Sequence, residues 1–133
     1  MHPKKIWANV AVSDLARTTK FYTDLGFKPN GKHTSKELTS FLFGEDNFVI
    51  HFFLKDVFKT NLKSEIADSQ KVAEIVCTLS ASGKEEVDKW EKEVEKAGGT
   101  IISKAEEFGK GYYGFLFADP DGHRFNVFYM EGL

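Results

Sequence analysis

Residues 117–129, Phe117-Ala-Asp-Pro-Asp-Gly-His-Arg-Phe-Asn-Val-Phe-Tyr129, carry the clearest local structure signal in the chain. Pro120 restricts φ, Asp119 and Asp121 are able to bond their own backbone, and Gly122 accepts positive φ. These four residue types in this order are typical of a tight turn. The stretch therefore predicts a turn between two extended segments.

The segments on either side of this turn read as strands. Residues 112–117 and 124–129 are rich in aromatic and β-branched residues, which suit a half-buried pleated surface. In the second segment Arg124, Asn126 and Phe128 alternate with an apolar set, so the two faces of the strand differ. The prediction is a β-hairpin whose second strand has one mixed face with Asn126 at its centre.

The chain as a whole predicts two copies of one element order, β-α-β-β-β. The motif Phe41-Leu-Phe43 precedes the first hairpin turn and recurs 74 residues later as Phe115-Leu-Phe117, which supports an internal duplication. The other predicted strands are Ile6–Val12, Phe27–His33, Leu38–Phe43, Phe48–Leu54, Glu74–Ser80 and Thr100–Ser103. The predicted helices run from Ser13-Asp14 to Gly26 and from Ser82 to Gly98-Gly99, the second with Ser82 and Glu85 spaced as a capping box.

The predicted fold class is α+β in a single domain, residues 1–133. Module one spans 1–54, a connector spans 55–72, and module two spans 73–133. Neither module alone buries enough surface for a stable fold, so we expect two paired modules forming an incomplete barrel with helices outside and a trough inside.

The composition limits the classes of partner. The chain has 133 residues, 41% of them hydrophobic, and a formal net charge of −2 from interspersed acids and bases, so a nucleic acid partner is not expected. No apolar run approaches the length of a membrane span, so we expect a cytoplasmic protein with no membrane partner. Cys77 is the only cysteine and lies among apolar strand residues, which predicts an inert thiol.

Three stretches resemble the vicinal oxygen chelate superfamily, which includes glyoxalase I, extradiol dioxygenases and bleomycin resistance proteins. They are Asn9-Val-Ala-Val-Ser-Asp-Leu15 leading to Phe21-Tyr22 and Leu25-Gly26-Phe27, Glu85-Glu-Val-Asp88 leading to Ala97-Gly-Gly-Thr100, and Asp119-Pro-Asp-Gly122. Among its members the chain most resembles bacterial predicted lactoylglutathione lyase-like proteins. The resemblance implies the paired-module fold and a homodimer.

The resemblance also implies four inward positions at which metal-dependent members bind a divalent ion. In this chain they fall on Trp7, His51, Glu74 and Asn126. An indole does not bind a metal and a neutral amide is a weak donor, so no metal is expected as a cofactor. The alternative is a Zn, Ni, Mn or Fe ion on His51 and Glu74, completed by Asn9 or a water.

Alternation along the predicted strands directs aromatic and polar side chains into the trough, as in small-molecule pockets. The leading interpretation is a protein of the bleomycin-resistance type that binds a small, partly apolar or aromatic molecule. A second is a lyase or isomerase similar to glyoxalase I, with His51 and Glu74 as catalytic residues on a metal or as an acid-base pair. A third is a non-catalytic interaction module whose trough is filled. The predicted ligand-binding residues are Trp7, Asn9, His51, Phe53, Glu74, Asn126 and Phe128.

Overall fold

A computed structural model describes residues 1–132 of the chain. It consists of two compact units, the first comprising residues 1–66 and the second starting at Ala67. The division falls inside the stretch predicted as a connector. Each unit contains one four-stranded mixed sheet, which confirms the predicted α+β class.

The first unit has the predicted order with one additional helix. Its sheet has the order β1-β4-β3-β2, with β1 parallel to β4 and the other pairs antiparallel. The elements are β1 (Trp7–Val12), α1 (Leu15–Asp24), β2 (Lys28–Pro29), β3 (Leu38–Phe43), β4 (Phe48–Leu54) and α2 (Lys55–Leu62).

Two features of the first unit differ from the sequence prediction. The strand predicted over 27–33 is only the two residues of β2, and a 3₁₀ turn over Gly31–His33 follows it. Pro29 has no N–H to continue the ladder, which explains the early end. Residues 55–62, predicted as part of an irregular connector, form α2.

Helix α1 is held by a local cap and by an aromatic core. Asp14 accepts a hydrogen bond from the N–H of Arg17 at 3.0 Å. Tyr22 is fully buried, and its ring centre lies 4.6 Å from that of Phe52 on β4 and 5.6 Å from that of Phe41 on β3. One face of the first sheet therefore packs against α1.

The second unit repeats the topology of the first. Its sheet has the order β5-β8-β7-β6, which places the first, fourth, third and second strands of the module in the same sequence as before. This confirms the predicted duplication. The elements are β5 (Val76–Ser80), α3 (Lys84–Ala97), β6 (Thr100–Glu107), β7 (Tyr112–Ala118) and β8 (Arg124–Met130).

Three boundaries in the second unit differ from the sequence prediction. Strand β5 begins at Val76, so Glu74 precedes it, and β6 continues to Glu107 through two register shifts. The predicted pairing of Ser82 with Glu85 is wrong. Ser82 instead donates its N–H and its hydroxyl to the carboxylate of Glu86, because α3 begins at Lys84.

The hairpin turn forms as predicted. Oδ1 of Asp119 accepts the N–H groups of Asp121 and His123, both at 2.9 Å, and Gly122 has φ +93°. Ser69 donates its hydroxyl to the carbonyl of Asp121 at 2.6 Å, so residues of the predicted connector pack on the turn. A Cβ at position 122 would lie 2.2 Å from the carbonyl oxygen of Ser69. Gly122 is therefore required by this close approach as well as by its φ.

No helix within residues 1–132 has the length and apolarity needed to span a membrane.

Candidate functional site

The face of the first sheet opposite α1 carries the first-unit residues predicted to bind a ligand. Register pairs Asn9 with His51 and His51 with Ser40, and the alternation of the strands puts Trp7 and Phe53 on the same side. We call this surface the open face. The structure brings these predicted residues onto one surface, while their role in binding stays a prediction.

His51 is oriented by Ser40, a residue that sequence reasoning missed. The hydroxyl oxygen of Ser40 lies 2.8 Å from Nδ1 of His51, and Ser40 is fully buried. Burial lowers the pKa of His51 below its ordinary 6.5, and the nearby charge of His33 lowers this pKa further. A neutral imidazole with one nitrogen engaged is therefore the dominant form at pH 7.

The 3₁₀ turn brings a second imidazole to His51. The ring centres of His33 and His51 are 5.5 Å apart, and their planes are tilted by 46°. His33 was predicted on a strand and given no role. The missed signal is Pro29, which ends β2 and lets the following residues turn toward β4.

A cleft of about 240 Å³ opens beside the open face. It is lined by Asn9, Phe53, Phe58, Asn61 and Leu62. Two of these are predicted ligand-binding residues, and the other three belong to α2, which sequence reasoning missed. Their i, i+3, i+4 spacing is the available signal for one helix face. The cleft combines apolar walls with two neutral amides.

The other end of the open face is apolar and uncovered within the first unit. Trp7 is 53% exposed and pairs with Val49, and Ile6, just before β1, is also largely exposed. An indole at such a position provides flat contact area for aromatic or cationic ligands.

In the second unit, the structure places Asn126 and Phe128 on the same face of β8. Asn126 pairs with Thr78 of β5, and its Nδ2 donates to Oγ1 of Thr78 at 3.3 Å. The ring of Phe128 lies 5.2 Å from that of Phe108 and 5.6 Å from that of Tyr112. Thr78 and Phe108 are neighbours of these predicted residues that sequence reasoning missed.

Glu74 does not lie on a strand. It was predicted to open β5 and to face inward, but it lies in an exposed bend two residues before Val76. The alternation of β5 therefore does not orient its carboxylate. Cys77 is half-buried on β5, and burial raises the pKa of its thiol, which agrees with an inert cysteine.

The four positions implied by the resemblance differ in the metal-binding atoms that they offer, and the absence of a metal there stays a prediction. In the first unit they offer one imidazole, because Trp7 has no metal-binding atom. In the second they offer the exposed carboxylate of Glu74 and the neutral amide of Asn126, whose Nδ2 donates to Thr78. Within residues 1–132, no group of three or more His, Cys, Asp and Glu side chains is arranged to hold a metal ion.

The sequence was compared with models of protein families and with curated protein sequences. The sequence model of the Glyoxalase/Bleomycin resistance protein/Dioxygenase superfamily matches residues 6–127. A comparison with curated protein sequences gives no match.

Several solved structures share the fold over nearly the whole chain. The hypothetical protein SA1046 from S. aureus is 26% identical, with 97% of this chain and 95% of that chain covered and a TM-score of 0.84. A glyoxalase-related enzyme from Fulvimarina pelagi is 19% identical, with coverage of 96% and 88% and a TM-score of 0.83. Lactoylglutathione lyase from Agrobacterium tumefaciens is 20% identical, with coverage of 96% and 94% and a TM-score of 0.67. At the identities of the last two, the likeness shows the fold alone.

Proposed function

The chain belongs to the Glyoxalase/Bleomycin resistance protein/Dioxygenase superfamily, and we propose that it binds a small, partly apolar or aromatic molecule on the open face of its first sheet. Binding does not use a metal at the family's four positions. The observation that carries this proposal is the cleft formed by Asn9, Phe53 and α2 beside that face.

The surface chemistry of the cleft supports a neutral, amphipathic ligand. Phe53, Phe58 and Leu62 provide apolar walls, and none of the five described residues that line the cleft is charged. Asn9 and Asn61 each offer an amide donor and an acceptor, so a hydroxyl or carbonyl group on the ligand would be oriented between them. Burying an aromatic ligand here gains about 25 cal/mol per Å² of apolar surface.

The exposed indole of Trp7 supports the same class of ligand. It lies on the same face as the cleft, and its exposure of 53% leaves the ring available for stacking. His51 between them contributes a neutral imidazole held by Ser40. An open face with these groups argues against an interaction module whose binding surface is filled by its own side chains.

The donor set at the family positions disfavours the alternative of a metal-dependent lyase or isomerase. The likeness to the lactoylglutathione lyase of Agrobacterium tumefaciens is one of fold. Chemistry of the glyoxalase type would require His51 and Glu74 to act together, and Glu74 lies in an exposed bend rather than on a strand. We therefore place binding ahead of catalysis.

The binding proposal is tested with a neutral aromatic fluorescent probe, N-phenyl-1-naphthylamine. Its fluorescence is titrated with the wild-type protein and with the Phe58→Ala and Asn61→Ala variants. We expect Phe58→Ala to weaken binding about tenfold or more, since loss of one aromatic contact removes roughly 1.5–3 kcal/mol. Quenching of Trp7, measured in a Trp90→Phe background, should accompany binding.

Phe48→Ala is the matched control, because Phe48 is an exposed phenylalanine of the first unit that does not line the cleft. If Phe58→Ala, Phe48→Ala and the wild type bind the probe with equal affinity, the cleft is not the binding site. Separately, stoichiometric zinc, nickel or manganese in the purified protein that is lost in both His51→Ala and Glu74→Gln would favour the metal-dependent enzyme.

A further inference from the structure

His33 and His51 of the first unit lie close to the separation that a shared metal ion requires. Their ring centres are 5.5 Å apart. Two imidazoles bound to one tetrahedral ion, at metal–nitrogen distances of about 2.0–2.1 Å, have ring centres roughly 5 Å apart. The observed separation of the two rings is therefore close to that of a chelating pair.

Ser40 positions both imidazoles through separate bonds. Its hydroxyl holds Nδ1 of His51 at 2.8 Å and accepts Nδ2 of Asn30 at 3.3 Å. Its carbonyl accepts the N–H of Asn30 at 2.8 Å, and the carbonyl of Asn30 accepts the N–H of His33 at 3.0 Å. The turn that carries His33 is thus anchored to the same residue that orients His51.

The arrangement at His51 matches that of metal-binding histidines. Such a ligand commonly has one ring nitrogen fixed by an outer hydrogen bond, which sets the tautomer and the ring plane and leaves the other nitrogen for the ion. In His51 the fixed nitrogen is Nδ1, so Nε2 is available to an ion. His33 is exposed, so an ion from solvent has direct access to this side of the pair.

We propose that His33 and His51 form a two-nitrogen site for a divalent transition metal of the nickel, copper or zinc class. This pair shares His51 with the family's four positions but uses His33 in place of Glu74. Imidazole is a preferred ligand for these ions. Two protein donors leave further coordination positions, which water or an oxygen of a bound molecule would occupy, so the ion is exchangeable. The site does not depend on the proposed binding function.

Isothermal titration calorimetry with Ni²⁺ tests the pair, using the full chain without a histidine tag and after chelator treatment. We expect one site in the wild type that is weakened about tenfold or more in His33→Ala and in His51→Gln, because each removes one of two ligands. His2→Ala and His123→Ala should match the wild type, since they change the chain's two other histidines. Ser40→Ala should bind more weakly than the wild type, because it removes the hydroxyl that fixes Nδ1 of His51 and bonds the side chain of Asn30.

Two results would overturn the site. One is wild-type affinity in His33→Ala with a normal melting temperature. The other is no binding by the wild type beyond that of a His33→Ala/His51→Gln double variant. Glu74→Gln should retain Ni²⁺ binding, and its loss there would point to the family positions instead. Since the titration contains no organic ligand, failure of probe binding and failure of this site are separate outcomes.

Discussion

The hydroxyl oxygen of Ser40 lies 2.8 Å from Nδ1 of His51, across directly paired positions of β3 and β4. Ser40 is fully buried, and the same oxygen also accepts the amide of Asn30. One hydroxyl therefore connects the centre of the open face to the turn that carries His33.

Ser40→Ala should lower the free energy of unfolding by about 1–3 kcal/mol, because two part-buried polar groups lose their partner. Urea denaturation measures this change. Ser64→Ala is the control in the same unit, because the Ser64 hydroxyl donates to an exposed neighbouring carbonyl. It should change the free energy of unfolding by less than about 0.5 kcal/mol. Equal effects of the two substitutions would contradict the role assigned to Ser40.

NMR titration of His51 should give a pKa below 6.5, with burial as the larger cause and the charge of His33 as the smaller one. His33→Ala should therefore raise the pKa of His51 only part of the way back. In the unfolded chain the imidazole takes up its proton first as the pH falls. The stability that neutral His51 contributes is thus complete above about pH 6.5 and is lost as the pH falls through the lowered folded pKa. If His33→Ala leaves the pKa of His51 unchanged, the charge of His33 does not contribute to the lowered pKa.

Phe52 and Phe53 are adjacent on β4 but face opposite sides of the sheet. Phe52 is 1% exposed and packs on Tyr22, while Phe53 is partly buried and lines the cleft. Phe52→Ala should lower the free energy of unfolding by about 3–5 kcal/mol. Phe53→Ala should lower the free energy of unfolding by clearly less, but it should weaken binding of the aromatic probe. Thermal and urea unfolding measure the first effect, and the reverse order of stabilities would contradict the assigned faces.

Gly122→Ala should destabilise the second unit strongly. A methyl group there would meet the backbone carbonyl of Ser69 at 2.2 Å, in addition to the strain of φ +93°. Gly26→Ala is the matched control, because Gly26 has φ +88° and nothing within 4 Å of its ideal Cβ. The strain shared by both is about 1–2 kcal/mol, so the excess loss of unfolding free energy in Gly122→Ala reports the contact with Ser69. Equal losses of unfolding free energy in the two variants would show that the contact with Ser69 does not contribute.

Tyr113 should ionise at a higher pH than an ordinary tyrosine. Its hydroxyl donates to Asp88, and this bond, with burial and the carboxylate charge, raises the pKa of Tyr113 to about 12. Asp88→Asn should shift this pKa back toward 10, as measured by ultraviolet absorbance of the tyrosinate. Glu95→Gln, on the same helix, is the control and should leave the pKa of Tyr113 unchanged. Circular dichroism verifies that both variants remain folded at alkaline pH.

The duplicated topology and the hairpin turn were predictable because their signals are local. The turn depends on the dihedral limits of Pro120 and Gly122 and on a bond from the side chain of Asp119 to nearby N–H groups. Alternation along β1 and β4 likewise predicted that Asn9 and His51 share a face. The roles of these residues in ligand binding stay predictions, as do the single-domain organisation, the homodimer and the cytoplasmic location.

The predictions that failed concern residues whose positions depend on distant partners. Glu74 was assigned to β5 by extending an alternating pattern, but pairing with β8 begins only at Val76. Helix α2 lacked a clear pattern because its short sequence buries little surface, and its exposed face borders the cleft.

Local residue preferences, which act over a few bonds, are sufficient to predict the hairpin turn, the strands β1, β3, β4, β7 and β8, and the alternation of faces along them. They contain no information about which side chain of one strand meets a turn that is far away in sequence. That Ser40 holds His51, that His33 lies beside it, and that Asn9 meets α2 follow from the register between strands and from packing, because these contacts exist only after the sheet has formed.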